Sequence, residues 1–244
     1  MSDTYDARRL DGTTCVVTGA SRGIGLAIAR ALVARGVRVA LIARTEGTLR
    51  EAANTLGSNA LAVPCDVARA DAVTAVNVRI REAFGGAPDL IVNNAGAFEI
   101  TPVEAVDPDS FSSTLETNLV APLRFIHAFL GDMRARGSGH IVTIGSIADR
   151  QVFPGNAAYA ASKHGMRALH EVLRLETRGT GVRATLISPA QVDTPLWDAI
   201  DPDDREGFTP RAQMLGPDAV AAAVVYVVTQ PNDVNVDELR LSRS

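Results

Sequence analysis

The sequence predicts an α/β fold built on a doubly wound parallel sheet, and three observations predict it. Short apolar runs alternate with amphipathic stretches along the chain. A glycine-rich turn, Thr18-Gly19-Ala20-Ser21-Arg22-Gly23-Ile24-Gly25, joins the first apolar run to the first helical pattern. Small or polar residues also follow the end of each apolar run. Strands buried on both faces read as continuous apolar runs, and helices between them cover a parallel sheet on both sides.

Residues 14–18 form the first buried strand. Ile24, Ala27, Ile28, Ala31 and Leu32 then recur at i, i+3, i+4, i+7 and i+8, marking one helical face that Gly36 ends. Residues 37–43 make a second apolar strand, followed by a polar helix to Leu56. Residues 59–63 read as a third strand, 70–84 as a helix, and 89–92, 141–144 and 182–187 as strands four to six. Right-handed crossovers wind this order into a doubly wound sheet with ligands at the carboxyl ends of its strands. Those ends hold Gly19, Arg44, Asp66, Asn93, Gly145 and Ser188. No linker, repeat or low-complexity tract interrupts the pattern, so residues 1–244 are read as a single domain.

A length of 244 residues suits one open sheet, and 46% hydrophobic with 21% charged residues gives a core without a disordered bias. The net charge of -4 offers no basic surface for nucleic acid or anionic lipid. Cys15 and Cys65 lie in strand-like contexts without metal-ligand spacing and read as reduced core thiols. Residues 1–10 lack the apolar stretch of a signal peptide, and the longest apolar run, 219–228, is too short to cross a bilayer. A cytoplasmic protein is expected, with neither membrane nor nucleic acid as partner.

Glycine at 19, 23 and 25 lets the backbone turn tightly and approach phosphate, and the following helix N-terminus offers free N–H groups to an anion. The end of the second strand selects the dinucleotide. An acidic residue there would bind a ribose 2′-hydroxyl; this chain has Ala43-Arg44, with Arg22 inside the glycine turn. Two guanidiniums suit a phosphate dianion, so NADP(H) is expected over NAD(H). Glu46, the nearest acidic competitor, belongs to the next helix. Asp66-Val67 is placed to meet an adenine ring or to cap the helix near residue 70, and both readings can hold. Asn93-Asn94-Ala95-Gly96 borders the cofactor channel at the end of strand four.

Tyr159 and Lys163 are four apart, hence one turn apart on a helical face. A free phenol ionises near pH ~10, too high for efficient proton exchange at neutral pH, and a nearby ammonium favours its phenolate. Ser146, just after strand five, can hydrogen-bond a substrate oxygen and steady charge developing on it.

Together these motifs resemble the short-chain dehydrogenase/reductase family, from strand one to about Gly216. The family's Thr-Gly-x-x-x-Gly-x-Gly is residues 18–25, with Ser21, Arg22 and Ile24 among the cofactor contacts. Its Asn-Asn-Ala-Gly is residues 93–96, and its asparagine, serine, tyrosine and lysine are Asn118, Ser146, Tyr159 and Lys163. The resemblance implies a three-layer Rossmann fold, a homotetramer or dimer, and hydride transfer between nicotinamide and a carbonyl or alcohol carbon. It assigns proton donation to Tyr159, the ribose hydroxyls and tuning of the phenol to Lys163, and the proton-relay water to Asn118. Pro189, Val192 and Thr194 are assigned to the nicotinamide side. The usual Pro-Gly after strand six is Pro189-Ala190 here, and the usual Val-Asp-Gly-Gly ending strand is absent.

Residues of about 190–215 are the expected substrate loop, with the chain's one tryptophan, Trp197, and acidic Asp198, Asp201, Asp203, Asp204 and Glu206. A mobile lid and a solvated excursion anchored by Trp197 both fit. Phe98, Gln151, Phe153 and His164 are candidate pocket residues, with Phe153 the expected wall and His164 read as structural. The expected activity is NADP(H)-linked interconversion of a small-molecule carbonyl and alcohol, with no metal. The alternative is a non-catalytic NADP-binding regulator of the same fold.

Overall fold

Every residue of β1 (Thr14–Thr18) is buried, as its β-branched side chains and single thiol require of a strand covered on both faces. On one side of it lie β2 (Arg38–Ala43) and β3 (Ala60–Pro64). On the other lie β4 (Leu90–Asn93), β5 (Gly139–Ile144), β6 (Val182–Pro189) and β7 (Glu238–Leu241). All pair in parallel, in the order β3-β2-β1-β4-β5-β6-β7. This computed structural model describes residues 8–244; residues 1–7, most of the stretch expected above to lack a signal peptide, lie outside them.

Helices α1 (Gly23–Val33) and α2 (Glu46–Leu56) cover one face with α7 (Pro217–Val228). Helices α3 (Ala70–Phe84), α5 (Ala121–Arg136) and α6 (Ala157–Glu176) cover the other, and α4 (Pro108–Leu115) leads into α5. Ile28 and Leu32 of α1 share a core with Val220, Val224 and Val227 of α7, so the 219–228 apolar run is a packing face. No helix among the described residues is long and apolar enough to cross a membrane. On the opposite face Val76 and Ile80 meet Phe125, Phe129 and Met133. The strand order reverses between β1 and β4, and this switch point opens the crevice at the carboxyl ends of the strands.

Three parts of the fold depart from the sequence reading, the first being α7, read above only as an apolar run. Residues 108–136, left without elements above, are helical and pass through a π-helical turn at Glu116–Val120. The sheet also has a seventh strand, although the apolar ending strand is missing. Glu-Leu-Arg-Leu alternates in polarity and is half-buried at the sheet edge, so no apolar run marked it. Its first residue, Glu238, takes both Arg150 guanidinium nitrogens at 2.5 and 2.7 Å, and that fork fixes the edge strand to the segment after β5.

Candidate active site

The glycine turn is built by close approach. Gly19 has φ 68°, and a Cβ there would stand 2.9 Å from Ala95 Cα. At Gly25 a Cβ would fall 2.3 Å from Gly19 O, so any side chain would push α1 off the turn. Thr18 and Asn94 bind the turn to the end of β4. Thr18 Oγ1 accepts from Asn94 N (2.9 Å) and Ala95 N (3.0 Å), and Asn94 Nδ2 donates to Thr18 O (2.9 Å). Arg22 caps α1 in extended conformation, and no acidic residue occupies the first turn of that helix. The N-terminus therefore keeps its affinity for an anion.

Arg22 and Arg44 are both exposed, and among the described residues neither pairs with a carboxylate. Glu46 is engaged elsewhere, in an ion pair with Arg50 one turn along α2. Asp66 Oδ1 accepts from Ala68 N at 3.1 Å, and the residue capping α3 is Arg69. Asp66 thus shapes the turn before the helix without capping it. Burial, then Asp66 and Asp71, push the neighbouring Cys65 thiol up to about 11, and burial raises Cys15 further. Both cysteines are free and buried, hence inert thiols.

Tyr159 and Lys163 lie on α6, where Lys163 Nζ donates to Ile144 O at 3.0 Å and stands 5.5 Å from the centre of the tyrosine ring. Lys163 is buried and Tyr159 half-buried. Ser146 accepts from Ala148 N at 3.1 Å, capping a short turn after β5. Asn118 sits in the π-helical turn, buried to 2% exposure. Its Oδ1 accepts from Ala97 N (2.8 Å), while its Nδ2 donates to Ala97 O and Ser162 Oγ (both 2.9 Å). Ser162 Oγ donates in turn to Tyr159 O at 2.7 Å. Asn118 therefore holds the segment after β4 and the tyrosine's turn of α6 in one network. Ser162, inside the Tyr-x-x-x-Lys spacer, was not singled out in the sequence; its signal was a hydroxyl three residues beyond the tyrosine.

One cleft of about 1110 Å³ collects these elements. Gly19, Ser21, Arg22, Gly23 and Ile24 line it from the glycine turn, and Arg44, Asp66 and Val67 from the ends of β2 and β3. Asn94, Ala95 and Gly96 follow from β4, Ser146, Tyr159 and Lys163 from β5 and α6, and Pro189, Val192 and Thr194 from β6. Gly25 and Asn118 stand behind the wall as supports. Asn93, the first of the two asparagines, is buried against the sheet and does not line the cleft.

Beyond the catalytic candidates the wall becomes aromatic. The Phe98 ring packs edge-on against Tyr159 (centres 4.8 Å apart, 72° between planes) and against Trp197 (5.2 Å, 69°). Trp197 Nε1 donates to Val192 O at 3.1 Å, so Trp197 turns inward. Phe153 lines the mouth; Gln151 does not line the cleft, and His164 bonds Ala160 O at 2.9 Å in a structural role. Phe208 was missed, because nothing in the sequence distinguishes it from an exposed loop aromatic. The acidic run is partly internal: Arg211 binds Asp193 (2.9 Å), Asp198 (2.7 Å) and Thr194 O (3.3 Å), and its N–H donates to Asp203. A further unforeseen pair is buried Asp149 with Ser188 Oγ, which joins the segment after β5 to the end of β6.

Comparison with known proteins matches residues 13–205 to the family model described as short chain dehydrogenase. An uncharacterized oxidoreductase of Staphylococcus haemolyticus is 35% identical over 231 residues, covering 94% of this chain and 96% of the relative. Another, from Staphylococcus saprophyticus, is 36% identical over 94% of this chain and 97% of its own. Among solved structures, a metagenomic short-chain oxidoreductase in complex with NADP superposes with a TM-score of 0.83 at 32% identity, covering 97% of this chain and 99% of that one. An alcohol dehydrogenase from the archaeon Thermococcus sibiricus, complexed with 5-hydroxy-NADP, gives a TM-score of 0.81 at 31% identity over 94% and 95%.

Proposed function

The chain belongs to the short chain dehydrogenase family of oxidoreductases, and from that premise we propose that it interconverts a small-molecule carbonyl and alcohol with NADP(H), using Tyr159 as general acid–base. The observation that carries this reading is the sharing of one cleft wall by the glycine turn, two arginines that pair with no carboxylate among the described residues, and the Ser146, Tyr159 and Lys163 side chains.

The residues present fit the cofactor. Gly19 and Gly23 leave backbone where a Cβ would intrude, the α1 N-terminus would hold a pyrophosphate, and Arg22 and Arg44 suit an added 2′-phosphate. Two of the similar structures hold NADP or a derivative of it, which supports the same choice here. When bound, the dinucleotide supplies or accepts hydride at its nicotinamide ring. Pro189, Val192 and Thr194 would border that ring, and Asp66 and Val67 the adenine.

The chain's own residues do the rest. Ser146 donates a hydrogen bond to the substrate oxygen and orients the carbonyl. Tyr159 passes its hydroxyl proton to that oxygen in reduction and takes it back in oxidation. Lys163, held in place by Ile144 O, keeps a positive charge beside the phenol ring and stabilises it when deprotonated. Asn118 positions the turn that carries Tyr159 through Ser162, and the segment after β4 through Ala97. Residues of about 190–215 close the substrate side. The protein is proposed to work as a cytoplasmic homo-oligomer of one NADP-binding domain.

Tyr159→Phe tests the central role. The variant should lose about 1000-fold or more in kcat for carbonyl reduction while its Kd for NADPH, read by nicotinamide fluorescence, stays within about twofold. A variant of near-normal rate would remove Tyr159 from the chemistry. A wild-type protein that binds NADPH but oxidises none of it across a broad carbonyl panel would be a non-catalytic binder.

A further inference from the structure

Charge is distributed unevenly along the cleft. Among the described residues its ionisable wall side chains of either sign, apart from Cys65 and Tyr159, are Arg22, Arg44, Asp66 and Lys163. Three of these lie at the glycine turn and the ends of β2 and β3. Lys163 is spoken for by Ile144 O and its place beside Tyr159. Away from the nucleotide end the wall includes Phe98, Ile100, Phe153, Leu196, Trp197 and Phe208, with the uncharged polar Ser113, Thr117, Asn156, Gln191 and Thr209, and among the described residues no cation but Lys163 lines it to meet an anion. The basic side chains of the flanking segments stay out of the lining. Arg211 is bound to Asp193 and Asp198, Arg150 to Glu238, and Arg205 stacks over the Phe208 ring at 5.1 Å without lining the cleft.

Two of the aromatic rings, Phe98 and Trp197, are also held by their neighbours. Phe98 follows Ala97, whose N–H and C=O are both bonded to buried Asn118. Trp197 is pinned by Val192 O. Ring edges and faces thus stand ready beside the catalytic phenol, and apolar surface continues outward. A second hollow of about 380 Å³ shares Phe153, Pro154 and Asn156 with the cleft and adds exposed Val103 and Val152, with His164 at its wall bonded back to Ala160 O.

We infer that the substrate is an uncharged aromatic or bulky apolar ketone or aldehyde, gripped by Phe98 and Trp197, and that these two residues set specificity by excluding carboxylate substrates. The physical basis is asymmetric. Apolar and edge-to-face ring contacts favour an aryl group next to the carbonyl, whereas a carboxylate moved into this end would lose its hydration and find no partner. The inference rests on the oxidoreductase reading above and narrows it to a substrate class.

The test compares para-methylacetophenone with para-acetylbenzoate, which share their reacting carbonyl and differ in remote charge. With NADPH, kcat/KM for the neutral ketone should exceed that for the acid by about 100-fold. Trp197→Ala and Phe98→Ala should each raise KM for the neutral ketone by about tenfold, with Trp197→Phe retaining most of the affinity, while Kd for NADPH moves less than about twofold. A second readout does not need turnover. Trp197 is the chain's one tryptophan, so in the NADP⁺ complex its fluorescence should respond to the neutral ketone at far lower concentration than to the acid. Equal or better use or binding of the acid overturns the inference, as does an unchanged KM in Trp197→Ala. If neither compound is reduced yet the neutral one alone perturbs Trp197, the oxidoreductase reading falls and the pocket assignment stands. If neither perturbs Trp197, the pocket assignment falls.

Discussion

The two ends of the cleft are made in opposite ways. The nucleotide end is backbone and charge: glycines at contact distance from neighbouring main chain, a helix N-terminus free of acidic residues, and two exposed arginines. The substrate end is side chain and shape, with Phe98 wedged between Tyr159 and Trp197 and, among the described residues lining it, no ionisable group beyond the catalytic phenol and lysine. A phosphorylated cofactor of fixed structure rewards the first design, because every donor has a known oxygen to meet. The second fits partners that vary, since apolar walls discriminate by size and desolvation more than by directed bonds.

The sharpest way to break this contrast is to reverse the charge at one end. Arg44→Asp should lower kcat/KM for NADPH and raise it for NADH, moving their ratio by about 1000-fold, because one change removes a phosphate partner and adds a ribose hydroxyl acceptor. KM for the carbonyl should hardly move. Steady-state kinetics with both reduced cofactors reads the result, and a retained NADPH preference would place cofactor selection elsewhere.

The strands beneath the two ends also differ in their response to acid. β5 carries buried His140, bonded to Thr185 of β6, and Thr143 of β5 receives buried His170 of α6; β1 to β3 hold no histidine. Burial first, and Arg174 next, lower His170 to about 4, and burial lowers His140 well below the ordinary value. An unfolded histidine takes a proton near pH ~6.5, while folded His170 resists protonation until about 4. Stability is therefore complete above pH ~6.5 and drains away as pH falls toward about 4, by about 3 kcal/mol from His170. Urea midpoints across this window should fall steeply for the wild type and less steeply for His170→Gln. A flat wild-type profile would contradict the assignment.

Smaller still is the expected effect of loosening the substrate loop. Arg211→Ala releases Asp193 and Asp198 and should raise KM for the carbonyl by about tenfold with little change in Kd for NADPH. A change confined to the cofactor would instead make Arg211 part of the nucleotide end.

The same division explains what could be read from the chain. The glycine turn, Arg44 and the Tyr159–Lys163 spacing were legible because each depends on local geometry, a βα turn or one helical turn, which a short stretch of sequence specifies. All six expected strands began and ended within two residues of their observed bounds, because buried parallel strands are apolar throughout. What escaped was nonlocal. β7 exists through its register against β6 and the Arg150–Glu238 fork, 88 residues apart. Asn118 supports Ala97 and Ser162 through contacts that span 21 and 44 residues. The inward turn of Trp197 rests on its packing against the distant Phe98 ring as well as on its bond to Val192 O, and the sequence left a mobile lid and a solvated excursion anchored by Trp197 equally open.

Salt separates the two ends in a single experiment, since screening weakens exposed charge contacts and leaves apolar ones intact. Measured from low ionic strength to ~0.5 M, KM for NADPH should rise several-fold while KM for para-methylacetophenone stays level or falls. Parallel rises in both constants would contradict a cleft whose charge is confined to its nucleotide end.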